Sequence, residues 1–337
     1  MEGHGIYKTT KVLSQDAEMI LLKVESQAAD QKVETFILRK VKGGTSYEKT
    51  GVTHVGFSKI QESWEESGWF CTVEEYLPKT LKELIDFYKK QNSSFPSVLA
   101  KIYSFQLLKL IAYAKLKNLL LNLQPDKIRV DTKTQRIAIS LFDTVEISSK
   151  ESKGKVSASS LFKKNIYSSP ERLLESKNIS FESDVFSLGC IMAEMVLLRP
   201  LFTVESGSND PKDQLSRMVQ VLGEPSIADK NSLINPISSW PLQPTTQTNQ
   251  PTTKLLDILK SSNSEIEPDF FTILSKMLLW TPSTRALPQM LMIHQFFTPV
   301  LTQQVKVNGQ EILPLANFSL LEQTCYGEYY QQLPILK

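Results

Sequence analysis

The chain changes its hydrophobic period near residue 80. Between residues 7 and 41, apolar and polar positions alternate and β-branched side chains are frequent. The runs are Val12-Leu13, Met19-Ile20-Leu21-Leu22-Lys23-Val24 and Phe36-Ile37-Leu38-Arg39-Lys40-Val41. A two-residue period predicts three antiparallel strands here, and Val55 to Phe57 and Trp69 to Val73 predict two more. From Leu81 the period is helical. Leu81, Leu84 and Ile85 open one helix, and Val98 to Leu116 forms a long one with Pro96 ahead of it as a start signal. Ser183 to Leu197 is apolar on nearly every side, the pattern of a helix buried all round. Lys212 to Leu222 sets Leu215, Met218, Val219 and Leu222 on one face and stops at Gly223. Phe270 to Leu279 and Pro288 to His294 predict shorter helices. Two stretches break the pattern and read as loops: Ser148 to Lys164, rich in Ser and Lys, and Pro241 to Thr253, rich in Pro, Thr, Gln and Asn. The fold class is α+β, with a five-stranded antiparallel sheet first and a mainly helical part after it.

Composition narrows the function classes. With 337 residues, 41% apolar and 22% charged, the chain has the make-up of a globular protein large enough for two cores. A formal net charge of +2 gives no basis for nucleic-acid or membrane binding. Cys71, Cys190 and Cys325 are far apart, which argues against a disulfide framework or a zinc site. Three histidines, including His54 and His294, form no ligand cluster, and no metal site is expected. Met1-Glu2-Gly3-His4 opens no apolar signal-peptide core. Val185 to Leu198 is too short to span a bilayer and contains Glu194. A reducing compartment is expected: cytoplasm, cilium or nucleus.

Three elements stand in a fixed order: Ser169-Pro170-Glu171, then Asp184-Val185-Phe186-Ser187-Leu188-Gly189-Cys190, then Arg285 in Trp280-Thr281-Pro282-Ser283-Thr284-Arg285. They resemble the A-P-E, D-x-W-S-x-G-C and terminal Arg elements of eukaryotic protein kinases, specifically the CMGC group. Asp213-Gln214-Leu215 with Val219 to Pro225, and the tail Val307 to Phe318, are similar to the glycogen synthase kinase-3 (shaggy) family. The resemblance covers roughly residues 6 to 320. It implies a bilobal kinase fold with residues 1–78 as N-lobe and 79–300 as C-lobe. The activation-segment equivalent would be 141–171, a CMGC-type insert would lie at about 224–266, and 301–337 would form a C-terminal extension packed on the C-lobe.

Each residue that phosphoryl transfer requires is replaced under this resemblance. Between Gly5 and Gly43 there is no glycine, and the glycine-rich turn falls on Ser14, Asp16 and Met19. A turn that holds phosphate through backbone N–H groups needs glycine, and Asp16 would also repel phosphate. The phosphate-binding Lys becomes Arg39, with Lys40 pointing to the opposite face of the strand. Its Glu partner should come from a helix between the third and fourth strands. That interval is only Lys42 to Gly51, so this helix is shortened or missing, and Glu48 is the sole candidate. The H-R-D triplet falls on Leu120-Leu121-Asn122, the loop Lys on Gln124 and the metal-binding Asn on Lys127. D-F-G becomes Leu141-Phe142-Asp143, with a leucine at the metal-binding position. The gatekeeper becomes Glu74, a carboxylate that would oppose adenine burial. The family's basic pocket for phosphorylated substrates loses its members at Leu121, Glu146 and Ser168. Its activating Tyr falls near Leu161-Phe162.

What remains is read as structural. Glu171 and Arg285 are expected to form a buried ion pair, and Asp184 to accept backbone hydrogen bonds from the loop around Asn122. The stripe holding Leu215 and Val219 is core in the plain reading. Under the resemblance it borders a groove for partner helices, although Lys212 and Ser216 replace apolar residues there. The expectation is therefore a catalytically inactive pseudokinase that scaffolds other proteins and takes no cofactor. The alternatives are an atypical active serine/threonine kinase with ATP and Mg²⁺, using Lys40, Asp126 or Asp143, and a module that senses nucleotide without hydrolysing it.

Overall fold

A computed structural model describes residues 7–27, 33–42, 52–146, 164–176, 179–203, 210–234, 240–242, 251–262, 266–307, 309–312 and 314–334. The chain divides into two compact units, Met1–Pro78 with Ala138–Leu141, and Lys79–Ile137 with Phe142–Lys337.

The first unit is a five-stranded sheet. Its strands are β1 (Lys8–Gln15), β2 (Met19–Gln27), β3 (Val33–Lys42), β4 (Ile60–Glu66) and β5 (Trp69–Glu75), in the order β1-β2-β3-β5-β4. All neighbouring pairs are antiparallel. One face buries Val24, Leu38, Cys71 and Val73 under Tyr7, Leu22, Phe36, Trp64 and Trp69. The fourth strand corrects the sequence reading, which put it at Val55 to Phe57. There the Gly56 N–H donates to His54 Nδ1 and the Phe57 N–H to the His54 carbonyl, both at 2.9 Å, closing a turn. Phe57 forms only an isolated parallel bridge to Ile139. Edge position explains why polar Ile60–Glu66 serves as the strand: only Ile60 and Trp64 break its run of Gln, Glu and Ser. The interval 43–51, with Glu48, lies outside the described residues.

In the second unit, β6 (Lys79–Thr80) leads into α1 (Leu81–Lys90), whose capping box pairs Thr80 with Glu83. Helix α2 (Ser97–Leu116) follows, buried on nearly every side. The short strands β7 (Leu119–Leu120), β8 (Arg129–Asp131), β9 (Arg136–Ala138) and β10 (Val145–Glu146) frame the loop that carries Asn122, Gln124 and Lys127. Then come α3 (Pro170–Leu173), α4 (Glu182–Leu197), α5 (Pro211–Leu222), α6 (Ile227–Leu233), α7 (Pro251–Ser262), α8 (Pro268–Met277), α9 (Pro288–Met292), α10 (Thr298–Leu301) and α11 (Leu320–Tyr326). Gly223, at φ 88°, ends α5 where the sequence placed its stop. Five described helices were not predicted: the short α3, α10 and α11, and α6 and α7. The Ser226–Asp229 capping box starts α6, and α7 begins inside the Pro/Thr/Gln/Asn stretch read as loop. Leu255 and Leu259, one turn apart and both buried, fix α7 in place.

Lys109 of α2 ties down the C-terminal residues, with Phe105 against the Phe318 ring beside it. Lys109 is 6% exposed, donates to the Asn317 carbonyl at 2.8 Å, lies 3.2 Å from Glu322 Oε1 and stacks 4.2 Å from the Phe318 ring. Against the other side of α4, Gly189 lets Leu278 approach so closely that an added Cβ would stand 2.8 Å from its Cδ2. Gly189→Ala is therefore expected to cost the second unit about 1–3 kcal/mol in urea unfolding.

Candidate functional site

In the first unit the turn from β1 to β2 is closed by its own carboxylate. Asp16 Oδ1 accepts the N–H groups of Glu18 and Met19, both at 2.8 Å, and the Asp16 N–H reaches the Met19 carbonyl at 2.9 Å. The backbone donors that a glycine turn would offer to phosphate are thus occupied by a side chain. Ser14 lies beside a register shift in β1, opposite Leu21.

Arg39 has the partner that the sequence did not supply. The β3–β5 register pairs Arg39 with Thr72, so Glu74 lies two residues along on the same face. Arg39 Nε donates to Glu74 Oε1 at 2.9 Å, with the two side chains 5% and 3% exposed. Nη1 also meets Met19 Sδ at 3.2 Å. Read separately along the chain, Arg39 and Glu74 are unrelated; in the structure they are one ion pair. The signal was available, because an arginine and a glutamate in neighbouring strands are complementary. Lys40, on the other face, lies 3.8 Å from Glu66.

In the second unit Asp184 anchors the loop from the head of α4. Its Oδ2 accepts the Leu121 N–H at 2.8 Å and its Oδ1 the Asn122 N–H at 3.1 Å. Asn122 is buried at φ 49°, a left-handed conformation that Asn tolerates better than most residues. Its Oδ1 accepts from Arg172 Nη1 at 3.1 Å. Arg172 escaped the sequence reading; the only signal was its place directly after Ser-Pro-Glu. Gln124 opens the turn in which its carbonyl accepts the Lys127 N–H at 3.0 Å. Lys127 Nζ then stands 3.8 Å from Asp143 Oδ1. Leu141 is buried in the short 3-10 turn Leu141–Asp143.

Glu171 and Arg285 meet through two contacts of 2.7 Å. The remaining donors of Arg285 reach the carbonyls of Leu279, Trp280 and Glu182 at 2.9, 3.1 and 2.8 Å. Ser183 adds a hydrogen bond of 2.8 Å to Glu171. Burial pushes the Glu171 carboxyl up, but Arg285 outweighs it and holds the group below its ordinary value. Asp184 goes the other way: burial, only partly offset by two N–H donors and Arg172, raises it to about 6.

Leu215 and Val219 are 1% and 7% exposed and turn inward with Met218 and Leu222. Ser168 closes a turn by accepting the Asn165 N–H at 3.0 Å. The Glu146 side chain, Leu161, Phe162 and residues 148–163 of the Ser/Lys stretch lie outside the described residues. Among the described residues no group of three or more His, Cys, Asp or Glu could hold a metal ion, and no helix is long and apolar enough to cross a membrane.

Residues 9–297 match the family described as Protein kinase domain. The chain belongs to that family. It is also similar to "Protein kinase gsk3" of Schizosaccharomyces pombe (strain 972 / ATCC 24843), 26% identical over 268 residues. That match covers 77% of this chain and 65% of the yeast protein, so the chain spans a little under two thirds of its relative's length. Against a protein kinase, the frame residues Glu171, Asp184 and Arg285 keep their residue types. Of the residues weighed at the other positions, Arg39 pairs with Glu74, Lys127 lies near Asp143 and Asp16 accepts two backbone N–H groups.

Two measurements check the electrostatics. Arg285→Met leaves Glu171 buried without its cation and is expected to cost about 3–5 kcal/mol in urea unfolding of the second unit. Asp184 titrates higher folded than unfolded, so its favourable contribution is complete below about pH 4 and is lost as pH rises through about 6. The stability of the wild type relative to Asp184→Asn is therefore expected to fall across that window and level off above it.

Proposed function

We propose that this chain is a pseudokinase: a kinase-shaped, catalytically inactive module of glycogen synthase kinase-3-like descent that acts by binding other proteins. The observation that carries this reading is the buried Arg39–Glu74 pair at 2.9 Å. A cation that serves phosphate must be available to it. This one is desolvated and held on a carboxylate through Nε, so an incoming triphosphate would compete with Glu74 for it.

The rest of the chemistry points the same way. Magnesium ATP does not fit the residues present. Asp16 fills the turn's amide donors, Leu141 offers no oxygen, and Lys127 brings an ammonium beside Asp143. Asn122 cannot accept a proton at neutral pH, a loss that by itself forfeits about 10²–10⁴ in rate. Neither Lys40, salt-bridged on the far face of β3, nor Asp143, facing Lys127, supplies a substitute. A frame that keeps Glu171, Asp184 and Arg285 suits a role in binding protein partners. Helix α5 and the segment after it are the region the resemblance designates, with the exposed side of α5 rather than buried Leu215 and Val219 available for contact. Cytoplasm, cilium or nucleus would each suit such a module.

Thermal unfolding with and without Mg²⁺-ATP tests the reading. A ligand at about 100 times its Kd stabilises by about 2.7 kcal/mol; the wild type is expected to show no shift. A shift accompanied by transfer of the γ-phosphate to protein would establish the active-kinase alternative. A shift without transfer would make the chain a nucleotide sensor. Glu74→Leu, which strands Arg39, is expected to destabilise the first unit by about 3–5 kcal/mol.

A further inference from the structure

Asn122 is held more firmly than the loss of a catalytic base requires. Its N–H and that of Leu121 are tied to Asp184, so the backbone at this point is fixed from the head of α4. Its side chain is then oriented by Arg172, itself only 6% exposed, through the 3.1 Å contact from Nη1 to Oδ1. A guanidinium has five donors and no acceptor, so the amide can meet it only with the oxygen. The donor Nδ2 is thereby turned away from Arg172, and Oδ1 keeps one lone pair beside the guanidinium. The old base position has changed its hydrogen-bonding sense, not merely its charge.

We infer that Arg172 is a positioning residue that keeps position 122 a hydrogen-bond donor and would seize any carboxylate placed there as its own ion-pair partner. Asn122→Asp alone would then not recreate a general base. Arg172 lowers the proton affinity of such a carboxyl, while burial and the nearby Asp184 and Glu171 carboxylates raise it, so the guanidinium's share is the difference between backgrounds with and without it. Reversal would need both residues to change. Its significance rests on the proposal that the chain transfers no phosphate, but its test reads a titration rather than turnover. An ATP-dependent thermal shift would count against that proposal and leave this inference standing.

The full chain is compared as Asn122→Asp and as Asn122→Asp with Arg172→Met, following the new carboxyl by carbon-detected NMR across acidic pH. The proton affinity of that carboxyl is expected to be at least about tenfold lower while Arg172 is present. Arg172→Lys should retain part of the effect, since it keeps the charge but not the planar fork. A merely structural arginine would change stability and leave the carboxyl titration where it was. Equal titration in the arginine and methionine backgrounds overturns the inference. Should Asn122→Asp fail to fold, the native amide serves instead. In asparagine-labelled protein the Asn122 side-chain NH₂ signals should move and exchange faster on Arg172→Met. Unchanged signals would overturn the inference equally.

Discussion

Arg285 enters the interior with every one of its donors engaged, and the order of the second unit depends on that. A guanidinium moved out of water loses hydration worth several kcal/mol, and only a complete set of acceptors restores it. Glu171 supplies two of them from α3, Glu182 a third from the start of α4, and Leu279 and Trp280 the others from beyond α8. Phe186 lies 5.0 Å under the guanidinium and shields it from solvent. Three segments, the last about a hundred residues beyond the first two, are thereby fixed around one side chain. Asp184, within the same first turn of α4, extends the arrangement to the loop that carries Asn122.

The same rule governs the candidate site. Each charged side chain there meets a neighbour within its own unit: Arg39 meets Glu74, Lys127 meets Asp143, Asp16 meets two backbone amides and Arg172 meets Asn122. Partly or wholly buried charges are costly unless side chains and backbone groups satisfy them from within.

Much of the fold was legible because period and punctuation agree with it. The two-residue alternation located β1, β2, β3 and β5, and the all-round apolar run located α4. The fourth strand was misplaced because its signal is poor: an edge strand needs an apolar side only where it is covered, and Gln61, Glu62, Glu65 and Glu66 hide the alternation of Ile60 and Trp64. Helix α7 was missed because composition was averaged across its start. At the candidate site, position along the chain singled out residues such as Arg39, Asn122 and Lys127. Their partners could not be read the same way, since Arg39–Glu74 depends on the β3–β5 register and Arg172–Asn122 on how α3 lies against the loop after β7. Pairing across elements is three-dimensional information that a linear reading meets only after register is known.

Lys109 carries an implication for biosynthesis. Its acceptors, the Asn317 carbonyl and Glu322, lie about two hundred residues downstream of α2. Until they have been synthesised, the Lys109 ammonium stays in water on a face of α2 that Phe318 and Tyr326 later cover. A polypeptide cut short before Asn317 would leave that face of its longest described helix open to solvent.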